Sequence, residues 1–187
     1  MIITLKDGST RSYDSAMSII DIAKDISEGL ARNTVAGEVN GELVDLSYVL
    51  KEGDNVKFIT MKDEEGLKIY RHTCSHVLAQ AIKTIFPTCN LAIGPVVENG
   101  FYYDIDFKTP ITMEDFAKIE EEMRKIIKSD LPIERIELPR EEAIKLMKKF
   151  KEPYKVQLIE DLPDEATISF YKQGDFTDLC AGPHIMS

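Results

Sequence analysis

The 187-residue chain has no tryptophan, three histidines and three cysteines. It has no apolar run near the ~18 residues that span a bilayer, so no partner membrane is expected. Its start, MIITLKDGST, lacks a basic stretch followed by a long apolar core, so no secretory signal is expected. Three cysteines without an export signal argue against a disulfide scaffold and point to a reducing cytoplasm. Basic charge is also short: 23 Lys+Arg face 33 Asp+Glu, a net charge of −10. Generic nucleic-acid binding needs a basic surface. Any nucleic acid must therefore be held locally, or by parts outside this chain. At 43% hydrophobic and 30% charged, the composition is that of an ordinary globular protein.

The first sixty residues read as a small mixed unit. MIITLKDG alternates and turns at Asp7-Gly8, and STRSYD returns. AMSIIDIAKDI places Ile19, Ile20, Ala23 and Ile26 at helical spacing. VAGEVNGELVDL predicts a hairpin with Asn40-Gly41 at its turn, and NVKFIT a closing strand. The order ββαβββ predicts a β-grasp domain over residues 1–61, bounded by the charged TMKDEEG.

Residues 62–187 read as a second domain. A helix is predicted over 63–86, with Leu67, Tyr70, Cys74, Val77, Ala81, Ile82 and Ile85 as its apolar stripe and Pro87 as its end. LAIGPVVENGFYYDIDF predicts a hairpin turning near Asn99-Gly100. Thr112 is placed to cap a helix whose apolar face is Phe116, Ile119, Met123, Ile126 and Ile127. PIERIELP reads as a strand, REEAIKLMKKFK as a helix and ATISFYKQG as a strand. Helices and strands mix without a regular βαβ repeat, so the fold class is α+β.

The histidines carry the chemistry. His72 and His76, in RHTCSH, are four apart and share a helix face; Cys74 points away into the apolar stripe. CAGPH presents Cys180 and His184 on a tight loop, since Gly182 and Pro183 oppose a helix. Asp178 sits just before it. His72, His76, Cys180 and His184 make the inventory of a zinc site. They equally make a hydrolytic site in which imidazoles hold and activate water.

RHTCSHVLAQAIKTIFP, AIGPVVENGFYYDID, EPYKVQLI and DLCAGPH together resemble the amino-terminal part of bacterial threonyl-tRNA synthetases. The resemblance covers essentially the whole chain. It implies a TGS domain, a ubiquitin-like β-grasp fold, over the first sixty residues. It implies an α+β proofreading domain, related to that of alanyl-tRNA synthetase, from about residue 62. The family's editing residues fall on His72, His76, Cys180 and His184, and Tyr103, Lys155 and Asp178 match further positions. Ala181 departs from the basic residue often found there. The family's aminoacylation core and anticodon-binding domain have no counterpart before Ser187, so a fragment of a longer, ATP-using and dimeric enzyme is expected, itself monomeric.

The implied reaction is hydrolysis of the ester of seryl-tRNA on a threonine tRNA, and the implied partner is that tRNA's 3′ end. Lys155 is expected to offer positive charge, Asp178 to orient a histidine or bind the seryl amine, and Phe101, Tyr102 and Tyr103 to wall the pocket. No cofactor is expected. If zinc is present, His72, His76, Cys180 and His184 would hold it. Two other readings stay open: a zinc-stapled module that binds RNA or nucleotide without catalysis, and a metal-dependent hydrolase of another ester.

Overall fold

The computed structural model describes residues 1–187. Contacts divide the chain into two compact units, Met1–Tyr70 with Gly182–Met186, and Arg71–Ala181 with Ser187. Each is described by itself.

In the first unit, β1 (Ile2–Leu5), β2 (Thr10–Ser12), α1 (Ile19–Ile26), α2 (Glu28–Asn33), β3 (Thr34–Val39), β4 (Glu42–Val44) and β5 (Asn55–Thr60) follow one another. The sheet order is β2-β1-β5-β3-β4. β1 and β5 pair in parallel, and the other neighbours are antiparallel. The β3–β4 turn falls where the sequence places it. Asn40 and Gly41 take φ of 52° and 91°, the left-handed pair that a two-residue hairpin demands. Ser18 caps α1, its Oγ accepting from the Asp21 amide at 3.3 Å. Ile19 and Ile22 of α1 then pack on Ile3, Val39 and Val56 of the sheet. The short α2 is additional to the expected ββαβββ order.

This unit runs past the expected boundary at 61. Ile69, 4% exposed, joins Ala36 and Ile59 in a small core, with Ile185 packed against it. An apolar side chain one helix turn into the next segment therefore tethers residues 62–70 to the first sheet. The expected stripe is wrong at its start, because Leu67 and Tyr70 are exposed.

The second unit contains most of α3 (Glu64–Ile85). A long hairpin follows, made of β6 (Asn90–Leu91), β7 (Val96–Val97), β8 (Gly100–Phe101) and β9 (Ile105–Asp106). Val97 faces Gly100, so the turn is Glu98-Asn99, one residue before the expected place. Arg71 Nη1 donates to the Glu98 carbonyl at 2.7 Å and fixes that tip. Next come α4 (Met113–Ser129), β10 (Ile133–Glu137), α5 (Arg140–Phe150), α6 (Pro153–Asp161), β11 (Ser169–Gln173) and β12 (Phe176–Leu179). β10, β11 and β12 form an antiparallel sheet in that order. Neither α6 nor β12 was legible as an element.

Two cores hold this unit. Val77, Ala81 and Ile82 of α3 pack with Leu91 and with Ile119 and Ile126 of α4. Phe116 and Ile127, assigned to that α4 face, are exposed. Ala143 and Met147 of α5 pack with Ile159 of α6 and Phe170 of β11. No helix is long and apolar enough to cross a membrane. Met147, 1% exposed, sits at the centre of the second core. Met147→Ala is expected to cost about 2–5 kcal/mol of stability, read from the urea midpoint.

Candidate active site

The site in the second unit is built on α3. His72 and His76 stand one turn apart, yet their face is not the polar one expected. His76 and Ala79 are buried, while Cys74, assigned to the core, is only half-buried. The reason is a second cover on the helix. The His76 ring meets Phe176 of β12 edge-on, with centroids 5.0 Å apart. His72 is half-buried, as helical phase predicts.

β12 supplies the facing row. Alternate residues of a strand share a face, which aligns Phe176, Asp178 and Cys180. Cys180 Sγ lies 2.8 Å from His72 Nε2. The backbone at Cys180 is pinned to β11 twice: its amide donates to the Ser169 carbonyl at 3.1 Å, and Ser169 Oγ donates to its carbonyl at 2.6 Å.

Asp178 anchors a buried polar network. Lys155 Nζ pairs with its Oδ1 at 2.8 Å, with the two side chains 3% and 8% exposed. The Tyr103 hydroxyl donates to its Oδ2 at 2.5 Å and accepts from Lys155 Nζ at 3.1 Å. Strand-like alternation through 101–107 turns Tyr103 inward and leaves Tyr102 outside. Of the three aromatics expected to wall a pocket, only Tyr103 joins this network. α6 turns Lys155 and Ile159 inward, four residues apart on one face. Proline suits the first position of this helix, where no amide partner is needed. At its start, the buried Glu152 accepts from the Leu91 amide at 2.8 Å and pairs with Lys83.

Gly94 makes room for Tyr103. A Cβ there would lie 2.4 Å from Tyr103 Cδ2, inside any tolerable contact. Ser75 Oγ bonds the carbonyls of His72 and Gly94, at 2.7 and 3.3 Å, tying the histidine turn to that loop. Gly94, Ser75, Glu152 and Phe176 were not singled out from sequence. Only Phe176 had a signal, its two-residue spacing from Asp178 and Cys180.

Burial sets the protonation. It lowers the His76 pKa to about 4, opposed by the Asp178 charge and aided by His72 and Lys155. Burial also lowers that of His72, again with Asp178 opposing and Lys155 assisting. Both imidazoles are thus neutral at pH 7. Burial, then the Asp178 charge and hydrogen bond, push the Tyr103 phenol far up, so it keeps its proton.

His184 belongs to the first unit. It is 2% exposed, and its amide donates to Asp45 Oδ1 at 3.0 Å. Within the second unit, the His72 imidazole and the Cys180 thiol are the adjacent pair whose chemistry suits a metal ion. The His76 ring instead packs on Phe176.

Two outcomes follow. A histidine held below its unfolded pKa binds fewer protons folded than unfolded, so stability falls with pH between about 6.5 and about 4. His76 should contribute about 3 kcal/mol to that fall. His76→Gln should flatten it in urea titrations across this range. Lys155→Met strands a buried carboxylate and should cost about 3–5 kcal/mol. Adding Asp178→Asn should recover much of the loss.

Comparison with known proteins shows what the chain is similar to. The TGS domain family matches residues 1–60. The chain is 60% identical over 185 residues to a threonine–tRNA ligase of Acetivibrio thermocellus, covering 99% of this chain. It is 56% identical over 185 residues to that of Clostridioides difficile. It is 54% identical over all 187 residues to that of Caldanaerobacter subterraneus. It spans 29% of the length of each of these relatives. The chain carries a TGS domain and is similar, over essentially its whole length, to the N-terminal portion of bacterial threonine–tRNA ligases.

Proposed function

We propose that the second unit hydrolyses the ester of an aminoacyl-tRNA, its substrate being a threonine tRNA misloaded with serine. The observation that carries this reading is the buried Tyr103–Asp178–Lys155 network on the strand that also brings Cys180 to His72. The similarity to threonine–tRNA ligases supports the substrate class. Serine is threonine without a methyl group, a difference worth only about 1–3 kcal/mol in a binding pocket. A second, hydrolytic site supplies the discrimination that binding lacks.

In this mechanism His72, neutral at pH 7, takes a proton from water as its oxygen attacks the ester carbonyl. The tetrahedral intermediate collapses by breaking the bond to the ribose oxygen. The imidazolium returns the proton to that oxygen, releasing serine and tRNA. The Tyr103 hydroxyl, which keeps its proton and donates a hydrogen bond to Asp178, holds that carboxylate in place. Asp178 offers a carboxylate to the seryl ammonium. Lys155 is 3% exposed and already paired. Its role is to hold Asp178 and Tyr103, rather than to meet a terminal phosphate. His76 braces His72 through the helix turn. Cys180 lines the pocket, and His184 enters the proposal through the motif CAGPH alone. The TGS domain is accessory.

The test is deacylation of seryl- and threonyl-tRNA. The seryl ester should be hydrolysed faster, and His72→Ala should lower that rate by about 10²–10⁴-fold with an unchanged Tm. A chelator should leave both rate and Tm as they were. Equal rates on the two esters would reject the substrate. Zinc bound at one per chain, with unfolding on chelation, would reject the metal-free route, since a structural metal supplies folding free energy.

A further inference from the structure

A cavity of about 550 Å³ lies in the second unit, lined by none of the residues assigned to the proposed hydrolysis. Its walls come from the end of α3 and the loop after it, from Lys108, and from the α5–α6 junction. The size is within the range of small-molecule sites. Its chemistry is unusual for this chain. Carboxylates outnumber basic side chains by 33 to 23, so a lysine finds an acidic neighbour easily. Yet Lys108, Lys148 and Lys151 all line the cavity, and none has an ion-pair partner. Glu152, the carboxylate among the lining residues, is buried and committed to Lys83 and the Leu91 amide. It leaves the three ammonium groups uncompensated.

Lysines near a helix C-terminus suit its dipole, and Lys148 lies in the last turn of α5. That account does not reach Lys108, which arrives from the segment after β9. Nor does it explain why like charges three residues apart, at 148 and 151, are kept on one wall, an arrangement that costs stability. Beside them Phe150 presents a ring that is 36% exposed. Ammonium groups next to an available aromatic face suit a phosphate carried on a flat heterocycle.

We propose that this cavity is a phosphate-binding site that takes a nucleotide, its phosphate met by Lys108, Lys148 and Lys151 and its base against Phe150. The nucleotide is either free or one unit of an RNA strand. The inference is independent of the hydrolytic reading. It also gives an acidic chain the local cationic surface that its composition otherwise denies it.

The experiment is calorimetric titration of the full 187-residue chain with AMP, adenosine and a tetra-adenylate RNA, at about 50 and about 200 mM salt. AMP should bind and adenosine should not. Lys148→Gln with Lys151→Gln should weaken AMP severalfold, and Lys149→Gln, one position off the cavity, should not. For the RNA, the double variant should reduce the slope of log K against log salt by roughly 1.4, at about 0.7 per lysine. Tighter binding of the RNA than of AMP assigns the strand as the source, and equal binding assigns the free nucleotide. The proposal is overturned if AMP gives no heat at about 10 mM and low salt. It is also overturned if adenosine matches AMP, or if the folded double variant binds AMP like the parent. His72→Ala should leave AMP binding intact, so loss of hydrolysis and loss of this site are read separately.

Discussion

The second unit is organised around one buried ion pair, Lys155 with Asp178, closed by the Tyr103 hydroxyl. Removing two charges from water costs several kcal/mol per ion, and their attraction repays this only with good geometry and filled hydrogen-bonding capacity. Here both carboxylate oxygens are used, one by the ammonium and one by the phenol. An apolar pair of similar volume would stabilise the fold as well or better. The arrangement therefore makes sense through what it positions: a strand end, a helix face and a hairpin side chain, held to one geometry.

The surrounding structure serves that geometry. Glu152 locks the start of α6 against β6 and α3, which fixes the register at which Lys155 enters. Gly94 gives up its side chain so that the Tyr103 ring can lie against the backbone. Ser75 ties the Gly94 carbonyl to the turn that carries His72. Ser169 holds Cys180 against the neighbouring strand. Each is a small or polar residue whose function lies in a contact distant along the chain.

That distance explains what the sequence could reveal. Elements with a local cause were legible: the Asn40-Gly41 hairpin, the capped α4, α3 and its end at Pro87. β12 was not, because four residues, Phe176 to Leu179, are too short for a periodic signal. α6 was hidden for a similar reason, since its inward face carries a lysine where a stripe would show an apolar residue. The buried side of α3 was misjudged because a helix covered on two sides has no single stripe. His76 read as polar by type and is core by position. The site residues themselves came from motif order in a resemblance. The structure adds the partnerships among Tyr103, Lys155 and Asp178, which no spacing encodes.

The ion pair also has a consequence for the imidazoles. Alone, the Asp178 carboxylate would favour protonated histidines, and it does pull on both His72 and His76. Protonated, His72 has no lone pair with which to take a proton from water. Burial outweighs that pull at each ring, and Lys155 adds to the shift toward the neutral form. A carboxylate can thus sit beside two imidazoles that stay neutral, which the proposed hydrolysis requires of His72. The lysine is the smaller contributor at each ring, and its main part is to neutralise the buried carboxylate.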